Sequence, residues 1–165
     1  MTTTTLELAS GNCALRRATV ADLDAILGLL ADDPISAARG DTADDADAAA
    51  YGTALAAIVA EPSNELLLVV DAAGRPAATM QLTRIPGMAR RGSSRLLVEA
   101  VRVSGDRRSG GIGSAMMRWV TETAAPAVGA SIVQLTSDEA RTDAHRFYER
   151  LGFASSHRGF TYRVD

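Results

Sequence analysis

The feature that most constrains this 165-residue chain is a long strand pattern, Ser94–Val103, that leads directly into Ser104-Gly-Asp-Arg-Arg-Ser-Gly-Gly-Ile-Gly113. Ile112, Met116, Trp119 and Val120 follow at helical spacing, with Pro126 predicted as the stop. Ser131–Leu135 is then a second buried strand. A glycine-rich turn between a strand and a helix directs backbone N–H groups at an anion, and the helix dipole adds to the attraction. The fold must therefore contain a strand–loop–helix–strand unit late in the chain.

The rest of the pattern surrounds that unit. Residues 1–10 read as a flexible tail, and residues 11–165 as one domain. Ala14–Arg17 is a short strand. Thr19-Val-Ala-Asp22 has the spacing of a capping box, with Asp in place of Glu. Leu23, Ile26, Leu27 and Leu30 form one helical face, ended by Asp32-Asp33-Pro34, and a second helix carries Tyr51, Leu55, Ile58 and Val59. Glu65–Asp71 is continuously apolar, as expected of a strand covered on both faces, and Pro76–Arg84 returns as its partner after a turn at Ala73-Gly-Arg75. Thr136-x-x-Glu139 predicts the start of a helix with Ala140, Ala144, Phe147, Tyr148 and Leu151 inward and Gly152 as its C-terminal cap. Phe153–Ser155 and Phe160–Val164 are expected to close the sheet. The class is α/β of the α+β type: a mixed, largely antiparallel sheet of six to seven strands with about four helices, in the order β-α-α-β-β-β-α-β-α-β-β.

Composition removes several functions. All 17 basic residues are Arg, so a Schiff-base lysine and a Walker phosphate loop are excluded. The dinucleotide fingerprint fails because Met116 stands where its third glycine is required. One cysteine, Cys13, and two histidines, His145 and His157, offer no metal-ligand spacing, and no metal is expected. Cys13 reads as a small buried hydrophobe. The net charge of −3 argues against nucleic acid as a partner. No apolar run approaches ~18 residues and the start lacks a secretory layout, so neither a membrane nor export is expected, and the cytoplasm is the default.

Two motifs carry a resemblance. Arg108-x-x-Gly111-x-Gly113, preceded by Val101-Arg-Val103, resembles the coenzyme A loop of the GNAT superfamily of acyl-CoA-dependent N-acyltransferases. Ala144-His-Arg-Phe-Tyr-Glu-Arg-Leu-Gly-Phe153 resembles its closing motif, and the order of elements agrees over residues 14–164. Asp143–Tyr148 with Ser156-His157 is also similar to small-substrate members such as aminoalkylphosphonate N-acetyltransferases. The resemblance implies acetyl-CoA as co-substrate, held by backbone groups of Val101 and Val103 and by a pyrophosphate cradle of Arg108, Ser109, Gly110, Gly111, Gly113 and Ser114. It implies Tyr148 as the acid that serves the departing thiolate. Arg141 stands where many members carry an Asn that binds the coenzyme arm.

Acyl transfer to an amine needs a neutral amine, a stabilised oxyanion and a protonated leaving group. Alternation along Ser94–Val103 puts Leu97, Glu99, Val101 and Val103 on one face. A carboxylate among apolar neighbours there would have its pKa raised by burial, which makes Glu99 the candidate base; a structural pairing with an Arg is the other reading. The acceptor is expected against the acidic stretch 32–47 and the basic segment Arg84–Arg95, a pair of walls suited to a zwitterion. The leading function is acetyl transfer from acetyl-CoA to a primary amine of a small molecule by direct attack in a ternary complex. Acylation of a protein N-terminus or an aminoacyl-tRNA, and a non-catalytic acyl-CoA-binding module, are the alternatives. A homodimer is left open.

Overall fold

Four consecutive leucines and valines, Leu66–Val69, are all buried, which requires cover on both faces of their strand. The computed structural model describes residues 3–8, 11–33 and 47–164 and provides that cover. Its sheet has six strands in spatial order β1 (Thr4–Leu6), β2 (Cys13–Arg17), β3 (Asn64–Val70), β4 (Pro76–Ile85), β5 (Ser94–Val103) and β6 (Ala130–Leu135). All neighbours are antiparallel except β5 and β6, which are parallel. Helices α1 (Leu23–Ala31) and α2 (Ala48–Ala60) cover one face, where Ile26 and Leu55 pack on Leu66. Helix α3 (Ile112–Trp119) covers the other, with Met116 and Met117 against Leu67, Met80 and Val98. Helix α4 (Thr142–Arg150) lies beside β6.

Local signals held where they concern one turn. Asp22 accepts the Thr19 N–H at 2.8 Å and its hydroxyl at 3.0 Å, closing the expected capping box, and Arg16 grips the same carboxylate in two bonds. Cys13 is buried in the main core. No helix among the described residues is long and apolar enough to cross a membrane.

Four expectations are corrected. Thr4–Leu6, inside the expected flexible tail, pairs with Cys13–Leu15 as an edge strand, with Leu6 buried in the core. Pro126 does not stop the helix after the glycine loop. Val120–Ala124 widens into a π turn and Ala125–Ala127 continues beyond it. The wider turn accommodates a residue that lacks an N–H and whose ring would crowd the carbonyl four residues back. Thr136 does not cap α4, which begins at Thr142 and leaves Ala140 exposed in the preceding turn. Residues 153–164 form no strand, so the sheet ends at β6. Of the acidic stretch, residues 34–46 lie outside the described residues.

Candidate active site

The site begins at an irregularity in β5. Gln81 pairs with Glu99 and Thr79 with Arg102, so Met80 alone faces both Ala100 and Val101. This is a β-bulge, and Ala100 sits at φ 49°, a left-handed conformation that costs a non-glycine residue of order 1–3 kcal/mol. The extra residue reverses the parity of the strand. Val101 and Val103 therefore join Leu96 and Val98 on the main core, while Glu99 is exposed. The expected shared face of Leu97, Glu99, Val101 and Val103 does not exist, and the burial on which the case for Glu99 as a base was argued is absent.

Past the bulge the sheet opens. Strands β5 and β6 pair only from Ser94 to Val98 and from Ala130 to Leu135. Beyond that, β5 continues to Val103 while the chain after β6 turns away through Thr136–Arg141 into α4. The wedge between them is a cavity of about 240 Å³, lined by Glu99, Val101, Arg102, Ser137, Arg141 and Tyr148 among others. Glu99 and Tyr148 thus reach one cavity from opposite walls. A second, apolar cavity of about 100 Å³ lies between α1, α2 and the sheet, and Ala100 lines both.

The glycine loop leads from the end of β5 into α3. Gly111 takes φ 85° and Ser109 φ 64°, the left-handed turns that bring the chain into α3. Among the described residues, the N–H groups of Ser109, Gly111, Ile112, Gly113 and Ser114 make no hydrogen bond. Gly113 lies against α4 and β5: a Cβ there would stand in ordinary contact with Phe147 Cζ at 3.4 Å and Val103 Cγ2 at 3.7 Å. Arg108 is turned away from the loop's mouth, donating from Nε to the Val103 carbonyl at 3.2 Å and from Nη2 to the Asp32 carbonyl at 2.9 Å. Arg107 pairs with Asp71 at 2.7 Å. The Val101 carbonyl accepts Nη1 of Arg102 at 2.9 Å, so both carbonyls expected to hold a pantetheine arm are taken by arginines of the chain itself.

Tyr148 packs edge-on against Phe147 and Phe153, with centroids 5.1 and 5.8 Å away. Its hydroxyl makes no hydrogen bond to any described residue. Burial pushes the phenol above its ordinary pKa, while Arg102 and Arg141 pull against the shift. The group stays protonated near neutrality, as a proton donor must.

Sequence reasoning missed one residue. Asp33, read only as part of a helix stop, is buried and receives both Arg141 nitrogens, with Arg102 Nε at 3.8 Å. Arg141, noted as a departure from the family's Asn, ties the start of α4 to the end of α1. Nothing local announces a contact between residues 108 positions apart. His145 Nε2 is satisfied by the Asp138 carbonyl at 2.8 Å, and His157 is exposed beside Ser156.

The Acetyltransferase (GNAT) family model matches residues 27–153. The chain belongs to this family. Over 50 residues it is 46% identical to an aminoalkylphosphonate N-acetyltransferase of Salmonella typhimurium, a match that spans 30% of this chain and 32% of that protein. A solved structure of a transcriptional regulator from Bacillus halodurans C-125 is 34% identical, with TM-score 0.86 over 92% of this chain and 99% of the other. An acetyltransferase of Trypanosoma brucei shares the fold at 23% identity, with TM-score 0.73 over 92% of this chain and 99% of that one. This GNAT member accordingly has the mixed, largely antiparallel sheet expected for it, with β5 and β6 splayed past the bulge.

Proposed function

We propose that the protein transfers an acetyl group from acetyl-CoA to a primary amine of a small molecule, by direct attack with both substrates bound. One observation carries the reading: the wedge between β5 and β6, open beyond Val98 and Leu135, with Glu99 and Tyr148 in its walls. An extended pantetheine arm fits such a wedge as an added strand, against the backbone of Val101 and Val103. To do so it replaces the guanidinium groups of Arg102 and Arg108 on their carbonyls. The free N–H groups from Ser109 to Ser114 suit the pyrophosphate, with Gly110 and the backbone of Arg108 completing the turn.

The coenzyme supplies an activated thioester. The amine nitrogen forms a bond to the carbonyl carbon, the carbon–sulfur bond breaks, and the thiolate takes a proton from the Tyr148 hydroxyl. Glu99, exposed to the same cavity, accepts the amine's proton through water. The apolar chamber beyond Ala100 leaves room for the body of the acceptor on the α1–α2 side.

A thiol-release assay over a panel of amines, including aminoalkylphosphonates, tests the activity and identifies the acceptor class. With a productive amine, Glu99→Gln is expected to lower kcat/KM by roughly 10²–10⁴-fold with coenzyme affinity unchanged. Thiol release from no amine in the panel, with acetyl-CoA bound, would favour a binding module. A Glu99→Gln variant with normal rates at all pH values would remove Glu99 from the chemistry.

A further inference from the structure

We propose that Gln81 binds the acceptor: its amide oxygen takes one N–H of a primary amine whose short apolar body lies in the chamber between α1, α2 and the sheet. The inference rests on the acetyl-transfer reading of the same site and adds to it a residue and a class of amine. Gln81 is on the inner strand β4, on the face that α1 and α2 cover. Its register partner on β3 is Leu66, which packs on Ile26 and Leu55, and its register partner on β5 is Glu99. Side chains directly opposite in antiparallel strands share a face, with Cβ atoms about 5 Å apart. Gln81 therefore stands between the apolar floor of the chamber and the carboxylate proposed to take the amine's proton.

The amide is held by its nitrogen. Gln81 Nε2 donates to Asn64 Oδ1 at 3.1 Å, and the same oxygen accepts the Thr83 hydroxyl at 2.6 Å. Asn64 is fixed in turn by the β3–β4 ladder, where it faces Thr83, and its main-chain carbonyl accepts Nη2 of Arg17 at 2.9 Å. With the nitrogen committed, Oε1 is the end of Gln81 left for a ligand, and it accepts no hydrogen bond from any described residue. The Thr79 hydroxyl, also in the chamber wall, donates instead to the Leu67 carbonyl at 2.9 Å. Leu23, Ile26, Leu30, Leu55 and Ile58 supply most of the remaining wall. A charged body would lose its hydration there without recompense, so the chamber selects an alkyl one.

A neutral primary amine has one lone pair and two N–H groups. Attack aims the lone pair at the thioester carbon in the wedge, which meets the chamber at Ala100. Both N–H groups must then point elsewhere. Gln81 Oε1 takes one and the water that serves Glu99 takes the other, which fixes the direction of the lone pair. As the nitrogen–carbon bond forms the nitrogen becomes positive, so its bond to Gln81 strengthens towards the transition state. Gln81 neither gives nor takes a proton. One proton leaves along the Glu99 path, and the amide product keeps the N–H that Gln81 holds.

Thiol release with unbranched alkylamines, with their N-methyl counterparts, and with the same amines bearing a terminal carboxylate or phosphonate tests the inference. Wild type is expected to use the plain primary amines best and to disfavour the N-methyl ones, which lack the second N–H, by roughly tenfold or more. Gln81→Met keeps the length of the side chain and removes the acceptor. It should lower kcat/KM for the primary amine by roughly 10–100-fold and abolish the preference over the N-methyl amine, with the acetyl-CoA-induced rise in Tm unchanged. Gln81→Leu, likewise without an acceptor and suited to an apolar wall, should give the same readout, whereas Gln81→Glu keeps the oxygen and should retain the preference. Normal kcat/KM in Gln81→Met, or a lower one with the wild-type preference for primary amines, overturns the inference and leaves the reaction standing. So does a wild type that favours the acid-bearing amines. Thiol release from no amine overturns the reaction and this inference with it.

Discussion

Tyr148 is held by its rings and not by its hydroxyl, and this separates its packing from its chemistry. Phe147 and Phe153 keep their edge contacts in Tyr148→Phe. Stability should change by no more than about 1 kcal/mol, because no hydrogen bond is lost. Turnover should fall by roughly 10²-fold or more, the usual contribution of a positioned acid. Chemical denaturation and steady-state rates measure the two effects, and a large stability loss at normal turnover would return Tyr148 to the core. Asp33 makes the opposite case. Its carboxylate is buried beside Arg141 and Arg102, so Asp33→Ala should destabilise the fold by ~3 kcal/mol, because the Arg141 guanidinium loses the two bonds it makes to that carboxylate. A double-mutant cycle with Arg141→Ala checks it: the double variant should be less destabilised than the two single losses together.

The element proposed to hold the coenzyme is the turn from β5 into α3. Gly111 holds φ 85° at the N-cap of α3, beside N–H groups that make no bond among the described residues. Gly111→Asp places a negative charge where a pyrophosphate is proposed to sit. Wild type should gain about 2.7 kcal/mol of stability at acetyl-CoA concentrations a hundredfold above Kd. Gly111→Asp should lose this gain. Gly111→Asn, a residue that also tolerates left-handed φ, should retain a substantial part of it, which separates charge from strain. Thermal shift measurements on the three proteins give the comparison.

At the scale of the whole molecule, carboxylates that pin one element to another set its acid stability. Asp71 closes the β3–β4 turn by accepting the Arg75 N–H and also receives Arg107 from the glycine loop at 2.7 Å. The Arg75 N–H bond, with further help from the Arg75 side chain and the Ala73 N–H, lowers its pKa to about 2. The Arg16 guanidinium beside Asp22 holds that carboxyl well below the usual range too. A free Asp titrates near ~3.9. Both groups therefore contribute stability that is fully present above pH ~4 and is lost as pH falls through their folded-state values. Wild type should lose Tm steeply below pH ~4, whereas Asp71→Asn should start lower at neutral pH and show a shallower acid limb. Parallel slopes in a Tm–pH series would remove Asp71 from the linkage.

The sequence by itself determined the elements whose cause lies within one or two turns. The Thr19–Asp22 cap, the doubly covered run Leu66–Val69 and the apolar face of α1 all follow from spacing and residue type. The two motifs, Arg108 to Gly113 and Ala144 to Phe153, were legible in the same way and carried the family. Only the tertiary structure decided which face Glu99 occupies, because a bulge depends on how β4 registers against β5 and not on β5 alone. It alone joined Asp33 to Arg141, a pairing between chain segments that no local window contains. It also left Phe160–Val164 outside the sheet among the described residues: a strand pattern specifies an extended chain with one apolar side, whereas hydrogen bonds across a sheet require an edge to receive them.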